Sequence, residues 1–199
     1  MRELVYYVAT TLDGRIASPK GAFDAFAVEG DHIDVINTDW ADTVPDAMYR
    51  ALGLTAPRGR FTTVLMGWNT FAAGLEFTDD PYPHLEQIVF SRTRTAPEGS
   101  SIRVTDDDPR RVVADLRSKP GGDIWLCGGG DVAAQLRDEI DRLVIKVNPL
   151  VFGDGIPLFA GEYRPAAFEL TASRAFASGV VVNEYRRRGP AASADGGNA

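Results

Sequence analysis

The chain has 199 residues, 44% hydrophobic and 10% aromatic, which predicts one globular domain with a full core. Its 21 Lys and Arg residues against 28 Asp and Glu residues give a net charge of -7, which argues against nucleic acid or an anionic membrane as partner and favours a small-molecule ligand. A single Cys excludes an internal disulfide, and no signal peptide, membrane span or metal-ligand spacing is evident, so we expect a metal-free cytoplasmic protein.

The first predicted element is a strand, indicated by the near-continuous apolar and aromatic run over residues 3–10. A run without polar alternation is typical of a strand buried on both faces, so we place it in the middle of a sheet. The strand leads into a loop, where Asp13-Gly14 forms a turn and Ile16 returns to apolar surface. We expect this loop beside the carboxyl edge of the sheet, with Asp13 either a turn residue or a ligand contact.

Two short helices are predicted next, one over residues 31–37 and one that begins at Pro45 and Asp46. The apolar strand that follows, over residues 60–67, runs directly into the segment Gly67 to Thr70. Free backbone N–H groups and the positive end of a helix dipole lie at such a strand-to-helix junction. The segment is therefore a candidate phosphate site.

The third strand, over residues 87–91, places Ser91 and Arg92 at its carboxyl end. An Arg there can pair with a ribose phosphate through its planar guanidinium, or it can be a solvated surface charge, and both interpretations stay open. A short strand over residues 101–105 and an amphipathic helix over residues 109–118 are predicted to follow.

The most informative stretch, residues 124–136, has the pattern of a strand, a glycine turn and a helix. Gly128, Gly129 and Gly130 leave no side chain between the backbone and a ligand, and Asp131 can cap the helix. The turn is a second candidate phosphate site, although three glycines after a strand also form plain βα turns. The next strand does not end in the acid of an NAD-type Rossmann domain, which disfavours that fold.

The closing segments predict a long strand over residues 141–153 and then a β-hairpin that turns at Ser178-Gly179. Residues 1–188 are predicted to form the single domain. Residues 189–199, which are rich in Ala, Gly and Asp, are predicted to be a disordered tail.

The order of these elements predicts an α/β fold with a mostly parallel sheet, an antiparallel edge and helices on both faces. In an open sheet of this kind the carboxyl ends of the strands form one crevice. Three phosphate-compatible segments, Gly67 to Thr70, Ser91-Arg92 and Gly128 to Asp131, should therefore converge there.

Five segments carry a resemblance to a known family; in order they are YYVATTLDGRIA, VLMGWNTF, VFSRT, WLCGGGDVAAQL and DRLVIKVNPLVFGDGIPLF. Their order and spacing resemble the dihydrofolate reductase-like superfamily. The resemblance is closest to its bacterial branch of the type of the riboflavin-biosynthesis reductase C-terminal domain. The resemblance covers nearly the whole chain. It implies a three-layer α/β/α fold with an eight-stranded mixed sheet, which binds NADPH along the sheet edge.

The resemblance also implies the cofactor contacts. The turn from Gly128 to Val132 would hold the pyrophosphate, and Thr70 with its neighbours would contact phosphates. Ser91 and Arg92 would face the adenosine 2′-phosphate. In such folds the first two glycines of the turn are commonly joined by a cis peptide. The expected cofactor-binding residues are Ala9, Ile16, Gly67, Trp68, Asn69, Thr70, Phe90, Ser91, Arg92, Cys127, Gly128, Gly129, Gly130, Asp131 and Val132.

Two residues depart from the family pattern. Trp68 stands where the family's loop usually carries a basic residue, so we expect weaker NADPH binding than is usual in the family. Cys127 stands where the riboflavin-pathway reductases usually carry an acid, which points away from their substrate.

The resulting hypothesis is an NADPH-dependent reductase that transfers a hydride to a C=N or C=O group of a small pterin-, pyrimidine- or other heterocycle-like substrate. Asp13 is expected to order the loop or a water near the nicotinamide, and Asp46 is either a proton donor or an acid that complements a helix dipole. The alternatives are a non-catalytic NADP(H)-binding stress or sensor protein, which Trp68 favours, and a thiol enzyme with Cys127 as nucleophile. A homodimer is also expected, because the closing hairpin leaves an unpaired sheet edge.

Overall fold

The computed structural model describes residues 1–51, 53, 59–75 and 78–189, and within them ten strands and five α-helices alternate. The strands are β1 (Leu4–Thr10), β2 (Arg15–Ala17), β3 (Phe61–Gly67), β4 (Glu86–Phe90), β5 (Arg103–Thr105), β6 (Asp123–Gly128), β7 (Arg142–Val147), β8 (Ile156–Pro157), β9 (Phe168–Ala175) and β10 (Val181–Arg187). The helices are α1 (His32–Asp39), α2 (Asp46–Ala51), α3 (Trp68–Gly74), α4 (Pro109–Ser118) and α5 (Gly130–Gln135), with a 3-10 turn over Ala41–Thr43. The predicted tail lies outside the described residues, apart from Gly189.

Eight strands form one mixed sheet in the order β5-β4-β3-β6-β1-β7-β10-β9. The six strands from β5 to β7 are parallel, whereas β10 runs antiparallel to both β7 and β9. β1 lies between β6 and β7, and Leu4, Val5 and Tyr6 have no exposed surface, which confirms the predicted buried central strand. The predicted fold class, an α/β fold with a mostly parallel eight-stranded sheet, is confirmed.

Each face of the sheet is covered by its own apolar cluster, because successive side chains of a strand point to opposite faces. Leu4 and Tyr6 pack into the cluster formed with α4 and α5. Val5 and Tyr7 pack into the other cluster, with Trp40 and the buried side of α3. The fold therefore has three layers, as predicted.

Helix α4 shows how local sequence sets an element. Asp108 caps the helix by accepting the N–H of Arg110 at 2.9 Å, and Pro109 occupies the first turn, where its missing N–H costs nothing. Val113 and Leu116 are then buried against the sheet. The predicted bounds of this helix are confirmed.

A second, two-stranded sheet of β2 and β8 was not predicted. It joins the loop after β1 to the segment after β7, and the N–H of Leu158 also donates to Gly14 at 3.0 Å. The first loop is therefore held at the carboxyl edge of the main sheet. No helix among the described residues is both long and apolar enough to cross a bilayer. The same residues contain no group of three or more His, Cys, Asp or Glu side chains that could hold a metal ion.

Candidate functional site at the carboxyl edge of the sheet

The glycine turn lies at the carboxyl end of β6. Gly128 has a φ of +133°, a conformation that residues with a side chain rarely adopt. Its peptide bond to Gly129 is cis, as the resemblance implies. Gly130 is tightly packed, since a Cβ built there would lie 2.3 Å from the carbonyl oxygen of Pro157. The backbone conformation at Gly128 and the packing around Gly130 therefore explain two of the three glycines.

Gly129 differs from its neighbours. Its φ of -88° suits any residue, and a Cβ there would meet the Thr70 hydroxyl oxygen only at 3.5 Å, an ordinary contact. Gly129 also occupies the N-cap position of α5, so the expectation that Asp131 caps this helix is wrong. Because the helix begins directly at Gly130, Asp131 lies in its first turn, exposed, where a carboxylate complements the helix dipole.

The turn at the start of α3 lies against the glycine turn, because β3 and β6 are neighbours in the sheet. A Cβ on Gly67 would come within 3.2 Å of Val132 Cγ2. The hydroxyl of Thr70 faces Gly129 and makes no hydrogen bond to any described residue. The structure thus brings together the bare backbone of Gly128 and Gly129, the Thr70 hydroxyl, and the Val132 side chain packed against Gly67.

Trp68 opens α3 and packs edge-on against Phe71, with 5.6 Å between the ring centroids. The guanidinium of Arg94 lies 5.7 Å from the centroid of the indole, within the range of a cation–π contact. Arg94 therefore places a positive charge beside Trp68, at the position where the family usually has a basic residue. Asn69, the next residue, is exposed. Sequence reasoning missed Arg94, although the run Ser-Arg-Thr-Arg after β4 offered a second cation.

The end of β4 forms the third part of the edge, with Phe90 paired opposite the start of α3. The hydroxyl oxygen of Ser91 accepts the N–H groups of Thr93 at 3.3 Å and Arg94 at 3.0 Å, and so shapes this loop while keeping its own proton to donate. Arg92 is exposed and has no ion pair within the described part of the chain. Its guanidinium is available to an anion, and contact with a 2′-phosphate stays a prediction.

Asp13 ties the loop after β1 to the segment after β7. Its carboxylate accepts a hydrogen bond from the hydroxyl of Thr11 at 2.5 Å. Two backbone N–H groups, of Phe152 at 3.1 Å and Gly153 at 2.8 Å, donate to the same carboxylate. These hydrogen bonds, that of Thr11 above all, lower the pKa of Asp13 from 3.8 to about 2. Asp13 therefore orders the loop, one of its two expected roles, and has no proton to donate at neutral pH.

The same loop places Ile16 beside the glycine turn, where its Cδ1 would lie 4.0 Å from a Cβ on Gly129. Ala9, the other expected contact from this region, lies near the carboxyl end of β1 and is partly exposed. Ile16 therefore borders the surface formed by the two turns, whereas Ala9 lies at the same edge of the sheet.

Asp46 lies elsewhere. Its carboxylate is ion-paired with Arg50 at 2.5 Å, and its N–H donates to Pro81 in the segment that leads into β4. The preceding turn is tied to the start of β3, because the Asp42 carboxylate accepts the N–H of Phe61 at 2.9 Å. These contacts lie at the amino edge of the sheet, opposite the glycine turn. This placement corrects the interpretation of Asp46 as a proton donor to a ligand bound there.

Cys127 is the last side chain before the glycine turn and is partly buried. Desolvation raises the pKa of its thiol to about 12, and the charge of Lys146 opposes that rise only in part. The thiol is therefore protonated at neutral pH. This protonation argues against the alternative in which Cys127 is a thiolate nucleophile.

Four residues on the face of the sheet covered by α3 form what we call the carboxyl-edge cluster: Tyr7, Ala9, Cys127 and Lys146. Lys146 pairs with Ala9 across β1 and β7, and its Nζ lies 4.5 Å from the centroid of the Tyr7 ring. Sequence reasoning missed Lys146 and Tyr7. The available signal was a lysine inside the otherwise apolar run of β7.

A cleft of about 690 Å³ lies away from this edge, between the end of α3 and the loop that leads to β5. Asp79, Asp80 and Glu98 contribute to its lining. Three carboxylates disfavour phosphate binding in this cleft, so the glycine turn is still the predicted nucleotide site.

The chain matches the family model described as the RibD C-terminal domain over residues 2–182. Among curated proteins it is similar to two from Bacillus subtilis (strain 168). It is 27% identical to the uncharacterized protein YwjB, covering 93% of this chain and 98% of that protein. It is also 27% identical to the uncharacterized protein YyaP, covering 94% of this chain and 96% of that one.

Solved structures give the same picture of the fold. A crystal structure from Shewanella sp. PV-4, whose name includes the words riboflavin biosynthesis protein, has a TM-score of 0.67 and 25% identity, covering 94% of this chain and 99% of that one. The diaminohydroxyphosphoribosylaminopyrimidine deaminase/5-amino-6-(5-phosphoribosylamino)uracil reductase from Thermotoga maritima has a TM-score of 0.61 and 14% identity, covering 94% of this chain and 57% of that one. The second likeness, at that identity, concerns the fold alone.

Proposed function

Because the chain belongs to the RibD C-terminal domain family, as the resemblance predicted, we propose that it is an NADPH-dependent reductase. The reaction is a hydride transfer to a C=N or C=O group of a small pyrimidine-, pterin- or other heterocycle-like substrate. The name of the Thermotoga maritima structure, a reductase of a uracil derivative, supports this class of chemistry.

The observation that carries the proposal is the surface made by the two turns at the ends of β3 and β6. Gly129 lets a ligand approach the backbone without a side chain of its own in the way, and the Thr70 hydroxyl faces the same space with no hydrogen-bond partner among the described residues. A diphosphate needs close backbone approach and hydrogen-bond donors, which this surface offers. Arg92 and Arg94, exposed in the next loop, supply the charge that a further phosphate requires. The residues present therefore fit NADPH.

When bound, NADPH supplies the hydride, so the protein itself must bind, orient and exclude water. Ile16, in the loop held by Asp13, borders the glycine turn. A proton is still required for the reduced group. Asp13 is ionised and Asp46 lies at the opposite edge, so neither of the two predicted acids supplies it.

The proposal is tested by titrating the chain with NADPH and NADH, following nicotinamide fluorescence, and by then screening carbonyl and imine heterocycles for loss of nicotinamide absorbance. We expect saturable binding that favours NADPH, and turnover with at least one ring compound. No binding of either cofactor would refute the proposal.

One observation favours the second candidate, a non-catalytic NADP(H)-binding sensor. Trp68 occupies the position that is usually basic, and it packs against Phe71 within the core of the second face. The same titration separates the two functions, since a sensor binds NADPH without oxidising it on any substrate of the screen.

A further inference from the structure

Lys146 is placed on the sheet so that it reaches over the central strand. It pairs with Ala9 of β1 on one side and with Val182 of β10 on the other. Its side chain leaves the sheet on the face that Tyr7 also occupies, and the ammonium lies 4.5 Å from the centroid of the Tyr7 ring. Ala9, the cross-strand partner of Lys146 on β1, has a small side chain on the same face.

No carboxylate within the described residues neutralises this ammonium. Glu184, on the same face of β10, is held by Arg142 at 2.7 Å. The carboxylate of Asp13 is occupied by the backbone of the β7–β8 segment. Lys146 is partly exposed, and an ammonium offers three donors and no acceptor, so its donors are available at this edge to solvent or to a bound acceptor.

A second polar group of the carboxyl-edge cluster also lacks a partner. The Tyr7 side chain is 4% exposed, and its hydroxyl makes no hydrogen bond within the described part of the chain. Buried hydroxyls are almost always hydrogen-bonded, so the packing around Tyr7 leaves an unsatisfied polar group beneath the edge that Lys146 occupies. Cys127, in the same cluster, is the residue directly before the glycine turn, which places the cluster next to the proposed cofactor surface.

We infer that Lys146 is the catalytic acid of this site and that the reducible group of the substrate is a carbonyl. The inference rests on the proposed function and narrows it. Hydride addition to a carbonyl develops negative charge on oxygen, which a fixed ammonium stabilises. An imine is reduced as its protonated, cationic form, which the same ammonium repels. Lys146 therefore selects C=O over C=N, and it disfavours protonated pterin-like rings.

The proton transfer can be written with all atoms balanced. When a hydride from the reduced nicotinamide reaches the carbonyl carbon, the π electron pair of C=O moves to the oxygen. Lys146 transfers one Nζ proton to that oxygen. The products are an alcohol, with new C–H and O–H bonds, an oxidised nicotinamide and a neutral lysine amine. Water reprotonates the amine, because the Lys146 side chain is partly exposed.

The first test is a binding measurement that needs neither cofactor nor turnover. Orotate, an anionic oxopyrimidine, and diaminopyrimidine, which carries no carbonyl, are titrated against the chain while tryptophan fluorescence is followed. Trp40 and Trp125 lie in the apolar cluster of this face and report on it. Lys146→Met should weaken orotate binding about 10- to 100-fold, as for a lost charge-assisted hydrogen bond, without weakening diaminopyrimidine. Lys146→Arg should keep most of the orotate affinity.

The matched control is Lys119→Met, because Lys119 is exposed at the far end of α4 and forms its ion pair among the described residues with Asp115. It should leave both titrations unchanged, and thermal unfolding verifies that every variant is folded. In turnover, Lys146→Met should lower kcat on nitrobenzaldehyde at least 100-fold, with the Kd of NADPH within twofold of wild type. The imine dihydroisoquinoline should react no faster than nitrobenzaldehyde in the wild type.

Two outcomes overturn the inference alone: wild type that binds NADPH but not orotate, and Lys146→Met that keeps orotate affinity or carbonyl turnover. A wild type that binds orotate through Lys146 but binds no nicotinamide cofactor overturns the proposed function. In that case the catalytic role of Lys146 is also refuted, and Lys146 is part of an anion-binding site only.

Discussion

The adjacent glycines Gly129 and Gly130 have different physical roles, which a pair of substitutions separates. Gly129→Ala should fold normally, because its Cβ has ordinary space, yet it should lose NADPH because the methyl group occupies the surface that a diphosphate approaches. Gly130→Ala should lower the free energy of unfolding by about 1 to 3 kcal/mol, since its Cβ would lie 2.3 Å from the Pro157 carbonyl. Thermal unfolding and NADPH titration of both variants test this. Normal NADPH binding by Gly129→Ala would show that the glycine run is only a turn.

Arg92 and Arg94 should together set the preference for NADPH over NADH. Arg92 is exposed without an ion pair among the described residues, and Arg94 brings its charge over Trp68. Either change to Ala should weaken NADPH by about 1 to 3 kcal/mol and leave NADH nearly untouched, because only NADPH carries the 2′-phosphate. The control is Arg174→Ala, another exposed Arg, on β9. Equal losses for both cofactors would contradict this assignment.

Among the structural elements, the loop after β1 depends on one carboxylate, and this dependence has a pH signature. The pKa of Asp13 is lowered from 3.8 to about 2 in the folded chain. Because the folded-state pKa is depressed, the hydrogen bonds to the Asp13 carboxylate stabilise the fold above about pH 4. This stabilisation is lost as the pH falls towards 2 and the carboxylate is protonated. We therefore expect the amide resonances of Phe152 and Gly153 to shift over this acidic range.

Asp13→Asn is the matched variant, since it keeps the size of the side chain and removes the charge. It should abolish the acid titration of those two amides and loosen the loop already at neutral pH, seen as faster hydrogen exchange. Above about pH 4 it should not shift the pH profile of activity as the loss of a proton donor would, because Asp13 is ionised throughout that range. A titration that persists in the variant would assign the effect to another acid.

Elements with a strong local pattern were predictable from sequence, whereas contacts between loops were not. The buried β1, the capped α4 and the glycine turn follow from apolar runs, a Pro after an Asp, and three consecutive glycines. The placement of Asp46 depends on its N–H meeting Pro81, a contact across 35 residues that no periodicity shows. The pairing of β2 with β8 could not be predicted either, because strands of three and two residues are too short to show a sequence pattern.

Across the whole molecule, the sheet order decides which side chains share a site. Lys146 and Cys127 lie 19 residues apart in sequence, and they meet only because β6, β1 and β7 are neighbours. The carboxyl edge was predictable, since parallel strands align their ends. The register was not, and a shift of one residue would have turned Lys146 to the opposite face. The meeting of the two turns at this edge was therefore foreseen, and the carboxyl-edge cluster was missed.

The last prediction concerns assembly: the chain should be a homodimer that uses the edge strand β9. Seven of the eight residues of β9 are exposed, and Leu170 keeps 54% of its surface accessible, although long open edges are a liability in soluble proteins. Phe159, by contrast, already packs edge-on against Tyr6 at 5.5 Å and needs no partner. Light scattering at micromolar concentration should give about twice the 21.6 kDa of one chain.

A charge placed on that edge should separate the two chains. Leu170→Lys is expected to give the mass of one chain without unfolding it, because burying an ammonium at a paired edge costs more than its exposure in the monomer. Val28→Lys, a change at another exposed apolar residue with 76% of its surface accessible, is the control and should stay dimeric. A wild-type mass near 21.6 kDa would refute the dimer, and a dimer that survives Leu170→Lys would move the interface away from β9.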